Sequence, residues 1–323
     1  MTGPGASTPG ADTPPAFHDP VEPPPDGVPW TVLRLLRWST RYLAEKGVAD
    51  GRLDVEHLLA HTLAMSRLDL YLHFERPLTA EELGAFKPLL LERAGRRPLQ
   101  YILGSAAFRD LELAVDERVL IPRPETEELV EAVLARVREW GREGLTALDV
   151  GTGSGAIALA LLTEGPFQRI LAVDRSGDAL EVARSNAREL GLEVQASGRG
   201  VEFREGDLLD PVKPGERFDV VAANLPYVSE PEHEALEPEV RRWEPREALV
   251  APEEGMALLR RLVEGAPTVL VPGGLLALEV GAGQAREVAR MVDRTPELGA
   301  PVILRDLSRR DRIVLATREE AWD

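Results

Sequence analysis

The tetrapeptide Asn224, Leu225, Pro226 and Tyr227 combines residue types that can recognise a planar NH2 group. Asn224 carries a side-chain carbonyl oxygen, and Pro226 restricts Leu225 to an extended conformation, which fixes the direction of the Leu225 carbonyl. Tyr227 adds a flat apolar ring with a polar tip. Two fixed acceptors beside a ring suit an amide or an exocyclic amine. The same residues also fit a simple Asx turn, so their meaning depends on the rest of the chain.

A second segment with chemical potential is the glycine-rich loop at 149–155, Asp-Val-Gly-Thr-Gly-Ser-Gly, between a predicted strand and a predicted helix. Glycine permits positive φ and close approach of a ligand, and a helix start presents free N–H groups. The loop alone leaves a dinucleotide open, because its spacing also satisfies the NAD-binding pattern. The acid at 149 and the third glycine favour S-adenosylmethionine. The predicted cofactor residues are Gly151, Thr152, Gly153, Ser154 and Gly155.

Residues after two later strands could complete a cofactor site. Asp174 ends the next predicted strand, where a carboxylate can accept hydrogen bonds from both hydroxyls of a ribose, although it could also cap the following helix. Asp207 and Leu208 follow the third predicted strand. They could bind an adenine amine and cover the ring, or form a routine turn.

The elements that must position these residues alternate between strand and helix beyond Gly144, which predicts a doubly wound, mostly parallel sheet. Such sheets bind ligands at the carboxyl ends of their strands, so the candidate residues are expected to meet at one edge. The strands are predicted at 145–149, 170–174, 201–204, 218–224 and 275–280, with a closing pair near Val302 and Ile313.

The region before the sheet has a different character. Residues 1–29 are rich in proline and predict a disordered tail. Apolar residues at three- and four-residue spacing over 30–104 predict an all-α domain of about four helices, and 105–120 predicts a β-hairpin linker before an α/β domain at 121–323. His57 and His61 could share a metal, but no third ligand is evident, so no metal site is predicted.

Charge and composition exclude several classes of function. The chain has 38 Lys and Arg against 55 Asp and Glu, a formal charge of −17, which argues against a general nucleic-acid binder. It contains no cysteine, which excludes disulfides, thiolate zinc sites and a cysteine nucleophile. Without a long apolar run or a signal peptide, a soluble cytoplasmic protein is expected.

Taken together, the motifs resemble the HemK/PrmC family of protein glutamine methyltransferases. This family methylates the side-chain amide nitrogen of the glutamine in the Gly-Gly-Gln motif of class 1 peptide chain release factors. The glycine loop is common to many methyltransferases, whereas its combination with RRPLQYILG and IPRPETE is specific. The resemblance rests on RRPLQYILG (96–104), IPRPETE (121–127), DVGTGSGAIALAL (149–161), AVDRS (172–176), NLPY (224–227) and WEPREALV (243–250).

The resemblance implies a Rossmann-like, seven-stranded methyltransferase fold that uses S-adenosylmethionine, with a helical N-terminal domain that helps to engage the release factor. By position, residues 151–155 and Asp174 would hold the methionine and ribose parts, Leu208 the adenine, and Asn224 both cofactor and substrate. The family motif is Asn-Pro-Pro-Tyr, so Leu225 replaces its first proline. The φ lock is lost and an N–H is gained, but Pro226 still orients the Leu225 carbonyl, and activity is expected to be retained.

The expected chemistry is transfer to an amide nitrogen by positioning, with the Asn224 side-chain oxygen and the Leu225 carbonyl accepting both amide hydrogens and Tyr227 packing on the glutamine. Four alternatives remain: an adenine amino methyltransferase acting on nucleic acid, a glutamine methyltransferase of a large-subunit ribosomal protein, a catalytically dead binding module, and an NAD dehydrogenase. The dehydrogenase explains neither NLPY nor IPRPETE.

Overall fold

The computed structural model describes residues 29–194 and 198–319, which fall into two compact units that divide between Gly95 and Arg96. The predicted tail, except for Pro29, lies outside the described residues. The predicted domain bounds stay predictions, and the segment 96–104 belongs to the second compact unit. Along the described parts of the chain, every helix falls short of the length or apolar character needed to cross a bilayer.

The first unit is helical, as its apolar periodicity predicts. Its helices are α1 (Val32–Glu45), α2 (Gly51–Leu63), α3 (Arg67–Leu72) and α4 (Ala80–Ala94). Helix α2 packs against the other three helices, and a buried ion pair of 2.6 Å joins its Asp54 to Arg93 of α4. Thr79 caps α4 in a capping box with Glu82, as their spacing indicates. The six-residue helix α3 is too short to show a periodic pattern.

The second unit begins with a short helix and the predicted hairpin. Helix α5 (Leu99–Leu103) leads into strands β1 (Ser105–Phe108) and β2 (Leu111–Ala114), which pair antiparallel. The prediction of a hairpin here is therefore confirmed. Helix α6 (Pro124–Trp140) then begins at a proline, which suits the first turn of a helix because it has no N–H to leave unpaired.

A seven-stranded sheet forms the centre of the second unit. Its strands are β3 (Leu145–Val150), β4 (Phe167–Asp174), β5 (Gly200–Glu205), β6 (Phe218–Asn224), β7 (Leu270–Glu279), β8 (Val302–Arg305) and β9 (Asp311–Thr317). The strand order is β5-β4-β3-β6-β7-β9-β8. Strands β5, β4, β3, β6 and β7 run parallel, whereas β9 runs antiparallel to both β7 and β8. The predicted doubly wound sheet and its closing pair are confirmed.

Helices cover both faces of this sheet, which explains the continuous apolar runs of its central strands. Besides α6, the helices of this unit are α7 (Ala156–Glu164), α8 (Gly177–Glu189), α9 (Glu230–Ala235), α10 (Pro238–Trp243), α11 (Ala257–Gly265) and α12 (Ala285–Asp293). Along β6, Val220 and Ala222 pack into the core under α6 and α7, whereas Val221 and Ala223 pack into the core under α11 and α12. A strand buried on both faces has no polar side to show as alternation.

The register of the sheet brings the candidate residues to one edge. Val150 of β3 pairs with Val173 of β4 on one side and with Ala223 of β6 on the other. The glycine loop, Asp174 and Asn224 each follow or end one of these strands, so all three meet at the carboxyl edge, as a parallel sheet requires.

Candidate active site

A cleft at this edge brings together most of the residues that the sequence predicts. Residues 118–120 and part of the WEPREALV segment form a second wall of this cleft. A concave site with mainly apolar walls and a few convergent polar groups is typical of a small-molecule site. The predicted residues that line it are Gly151, Gly153, Asp174, Leu208, Asn224, Leu225 and Pro226.

The glycine loop can accept a ligand against its backbone. Gly151 and Gly153 have φ of +75° and +54°, in the region that favours glycine. A Cβ on Gly151 would lie 3.0 Å from Leu225 Cδ2, whereas a Cβ on Gly153 would have no neighbour within 4 Å. Gly151 is therefore needed for packing against Leu225, and Gly153 leaves its backbone open to the cleft.

Thr152, Ser154 and Gly155 shape the loop from its interior side. The Thr152 hydroxyl donates to Asp149 Oδ2 at 2.6 Å, and the carbonyl of Ser154 accepts a hydrogen bond from Asn186 Nδ2 at 2.9 Å. Gly155 takes positive φ as the N-cap of α7. Complete burial raises the pKa of Asp149 to about 7. The predicted direct contacts of these three loop residues with a cofactor stay predictions.

Asp174 ties the loop to the end of β4. Its Oδ2 accepts a hydrogen bond from the Gly153 N–H at 2.9 Å, and its Oδ1 accepts one from the Ser176 N–H at 3.0 Å. Ser176, not Asp174, caps helix α8. Each carboxylate oxygen has a further lone pair, so Asp174 can still accept two hydroxyl groups from the cleft. Burial raises its pKa.

Leu208 and Asp207 occupy the cleft wall beyond β5. Leu208 has φ of +50°, is 8% exposed, and packs into the core beneath the cleft. Asp207 also lines the cleft, but its carboxylate forms a 2.7 Å ion pair with Arg261. The apolar side chain of Leu208 is thus available to cover a flat ring, while Asp207 already has a partner.

Asn224 is held by a hydrogen-bond chain that the sequence did not reveal. Its Nδ2 donates to Thr126 Oγ1 at 2.9 Å, and the Thr126 hydroxyl donates to Glu279 Oε2 at 2.6 Å. Thr126 is 5% exposed and Glu279 is fully buried. Burial raises the pKa of Glu279, and Thr126 and Arg312 oppose that rise. Because Nδ2 is bound to Thr126, the Asn224 side-chain oxygen is left for the cleft.

Leu225 fits the position where the family motif has proline. Its side chain is only 3% exposed and packs beside Gly151 in the core under α11 and α12. Leu225 therefore contributes buried apolar contact beside the glycine loop. Since burial of a leucine stabilises a fold by about 1.5–3 kcal/mol, Leu225 helps to hold the glycine loop in place.

Tyr227 is fixed at both its backbone and its hydroxyl. Its carbonyl accepts from Gln284 Nε2 at 2.9 Å, and a Cβ on Gly255 would lie 1.9 Å from that carbonyl oxygen. Its hydroxyl accepts from Arg312 at 2.8 Å and donates to Glu279 at 3.3 Å. The predicted packing of the ring on a substrate glutamine stays a prediction, but the ring is held in one place.

The other family motifs bind one another and support the second wall of the cleft. Arg96 of RRPLQYILG forms a bidentate pair with Glu239 at 2.6 Å, and the Tyr101 hydroxyl donates to the Val119 carbonyl at 2.6 Å. Buried Glu244 of WEPREALV accepts hydrogen bonds from Arg123 and from the Ile121 N–H of IPRPETE. Val119 and residues 245, 247 and 248 line the cleft, so these contacts fix its second wall.

Replacing Glu244 with alanine should therefore loosen this wall. The substitution leaves the Ile121 N–H unpaired and removes the carboxylate from Arg123, which should lower the free energy of unfolding by about 1–3 kcal/mol. Affinity for S-adenosylhomocysteine should fall as well. Chemical denaturation and calorimetric titration measure the two effects. Glu230→Ala is the control, because the Glu230–Arg246 ion pair is exposed and worth little. Equal stability of the two variants would contradict the assignment.

Two known protein families match the two parts of the chain. The PrmC N-terminal domain family matches residues 34–104, and a methyltransferase domain family matches residues 142–298. A structure of the release factor-specific protein-(glutamine-N5) methyltransferase from Alicyclobacillus acidocaldarius is 29% identical, with a TM-score of 0.37, over 62% of this chain and 95% of that one.

Curated relatives match along most of their length. The release factor glutamine methyltransferase of Geobacter sulfurreducens is 42% identical over 266 residues, which cover 82% of this chain and 89% of the relative. The enzyme of the same name from Chlorobaculum tepidum is 43% identical over 276 residues, or 83% of this chain and 91% of the relative. Because these relatives are more than 40% identical over most of both chains, the chain belongs to the release factor glutamine methyltransferase family.

Proposed function

We propose that this protein transfers a methyl group from S-adenosylmethionine to the side-chain amide nitrogen of the glutamine in the Gly-Gly-Gln motif of class 1 release factors. The observation that carries the proposal is the orientation of Asn224. Its NH2 group is bound to Thr126, 2.9 Å away, so its carbonyl oxygen is left to accept a hydrogen bond in the cleft beside the Leu225 carbonyl. The names of the curated relatives support this choice of substrate.

The residues of the cleft fit the proposed cofactor. Gly153 leaves its backbone open, Asp174 retains lone pairs for two ribose hydroxyls, and Leu208 offers an apolar surface for adenine. When bound, S-adenosylmethionine supplies an electrophilic methyl group on a sulfonium centre. Asp174 would fix the ribose, and the loop backbone would hold the methionine part.

The amide nitrogen is a weak nucleophile because its lone pair is delocalised into the carbonyl group. As it gains the methyl group, positive charge develops on the nitrogen and its two N–H groups become stronger donors. The Asn224 oxygen and the Leu225 carbonyl would accept these two hydrogens, which orients the nitrogen and stabilises the developing charge. Fixed acceptors contribute most when they need no rearrangement, and the Thr126 contact holds Asn224 in place.

One proton must leave the nitrogen for the methylated amide to become neutral. The carboxylates that line the cleft within the described chain are those of Asp174, Asp207 and Glu247. Asp207 and Glu247 form ion pairs with Arg261 and Arg175, and the lone pairs that Asp174 keeps free would bind the ribose hydroxyls. We therefore assign proton loss to water after methyl transfer. This makes the residues of the cleft positioning groups and electrostatic groups, with no general base among them.

The helical N-terminal unit is proposed to engage the release factor, and the acidic chain favours a partly basic partner. The cytoplasmic location stays a prediction.

Transfer of labelled methyl to a purified class 1 release factor, a large-subunit ribosomal protein and an adenine-containing oligonucleotide, run in parallel, tests the substrate. Label on the release factor alone is expected. Label on the ribosomal protein or on the oligonucleotide would favour the corresponding alternative activity. No label on any of the three, despite cofactor binding, would favour a catalytically dead binding module.

A further inference from the structure

We propose that Thr126 is a positioning residue that determines which end of the Asn224 amide faces the cleft, an inference that rests on the proposed transfer to a glutamine amide. Its hydroxyl lies between Asn224 Nδ2, at 2.9 Å, and Glu279 Oε2, at 2.6 Å. Asn224 and Glu279 are directly paired across β6 and β7, while Thr126 arrives from α6. Three separate elements thus converge on one hydroxyl group.

The reaction needs this control because the side chain of asparagine can be used in two orientations. A carboxamide carries an acceptor at one end and a donor at the other, and the two ends have nearly the same size. With the oxygen toward the cleft, Asn224 can accept a hydrogen from the substrate NH2 group. With the nitrogen toward the cleft, two donor groups would face each other and the substrate amide would be repelled.

The direction of the hydrogen bonds that link Glu279, Thr126 and Asn224 selects the orientation in which the Asn224 oxygen faces the cleft. The Glu279 carboxylate is fully buried and is held by Arg312 at 3.0 Å and by the Tyr227 hydroxyl at 3.3 Å, both on Oε1. Its other oxygen accepts the single hydroxyl proton of Thr126. Thr126 Oγ1 can then only accept, and the NH2 end of Asn224 is the end that can donate to it.

The buried ion pair between Glu279 and Arg312 therefore acts on the cleft through one hydroxyl group. Arg312 is 8% exposed and donates to both Glu279 and Tyr227, so it holds both ends of the NLPY segment in one network. Neither Glu279 nor Arg312 lies among the cleft-lining residues, so their effect on the cleft passes through Thr126 to Asn224. The network explains why a threonine in IPRPETE and an asparagine in NLPY belong to one site.

The first test compares Thr126→Val with Thr126→Ser. Valine keeps the shape of threonine but removes the hydroxyl, and turnover on the release factor should fall about 10- to 100-fold because the substrate amide is less well positioned. Affinity for S-adenosylhomocysteine should stay close to that of the unchanged protein. Serine keeps the hydroxyl and should restore most of the turnover. Thr295→Val is the control, since Thr295 is also buried and donates only to a helix carbonyl, that of Met291.

The second test reverses the hydrogen-bond chain. In Glu279→Gln, Arg312 would hold the glutamine oxygen, so the glutamine NH2 would face Thr126 and donate to it. The Thr126 proton would then turn toward Asn224 and favour the wrong orientation. Turnover should fall at least as far as in Thr126→Val, and the double variant should be no slower than the slower single variant. Independent, multiplicative losses would overturn the proposal.

A third readout does not depend on activity. The chain contains two asparagines, Asn186 and Asn224, so labelling with 15N-asparagine gives two side-chain NH2 groups that Asn224→Ala assigns. Thr126→Val should shift the Asn224 NH2 signals and speed their exchange with water, with those of Asn186 unchanged. Unchanged Asn224 signals, or unchanged turnover in Thr126→Val, would overturn the positioning role. Absence of transfer by the unchanged protein would instead contradict the proposed function.

Discussion

Asn224→Ala should reduce methyl transfer to the release factor about 100- to 1000-fold, the loss typical of removing one preorganised group that stabilises transition-state charge. Asn224 lies at the end of β6, with its NH2 group bound to Thr126 and its oxygen left for the cleft. Alanine removes that acceptor at the point where positive charge develops. Affinity for S-adenosylhomocysteine should change only a few-fold, so the loss should appear in kcat.

Steady-state kinetics and calorimetric titration on the same preparations measure these two quantities. Asn186→Ala is the informative comparison, because Asn186 binds the backbone of Ala114 and the Ser154 carbonyl behind the glycine loop. In that variant, the main losses should be in cofactor affinity and in stability. A rate for Asn224→Ala close to that of the unchanged protein would contradict the assignment of Asn224 as an acceptor for the substrate amide.

Asp174→Ala should produce the opposite pattern, a loss of cofactor affinity of about 100-fold or more. Hydrogen bonds to a charged group contribute about 1.5–3 kcal/mol each, and the variant removes the acceptor for Gly153 and Ser176 as well as the proposed ribose contacts. Loss of the Gly153 contact also frees the loop. The lost ribose contacts and the freed loop both lower affinity for the same cofactor, so binding of S-adenosylhomocysteine is the direct readout.

Asp207→Ala provides the matched comparison, since Asp207 lines the same cleft but is paired with Arg261 at an exposed site. Its effect on affinity should be much smaller. Because burial raises the pKa of Asp174, affinity should also begin to fall at a higher pH than an ordinary aspartate would give on acidification. Equal affinities for the Asp174 and Asp207 variants would show that Asp174 does not hold the cofactor.

The fold could be predicted from the sequence because its central elements carry local signals. The apolar run before Asn224 marks a strand covered on both faces, and the glycines at 151 and 153 mark a turn at positive φ. Asp174 follows at the spacing expected for the next parallel strand. Each of these signals lies within a few residues of the feature that it predicts.

The network around Asn224 could not be predicted in the same way. Thr126 and Glu279 are 153 residues apart in the chain, and Thr126 and Asn224 are 98 apart. Taken alone, IPRPETE shows only a loop and a helix start, and no periodicity marks one threonine as buried. The contact of the Ser154 carbonyl with Asn186, 32 residues later, is likewise tertiary, whereas the Thr152 hydroxyl is turned inward by a local hydrogen bond to Asp149. The family motif was the one available signal that IPRPETE belongs to the site.

The most direct test of the account is to locate the transferred methyl group. A purified class 1 release factor is incubated with this protein and S-adenosylmethionine, digested, and sequenced by mass spectrometry beside a copy in which the Gly-Gly-Gln glutamine is replaced by alanine. The account predicts one added methyl group on the side-chain nitrogen of that glutamine, absent from the alanine copy and strongly reduced with Asn224→Ala. A methyl group on any other residue, or one that persists in the alanine copy, would contradict it.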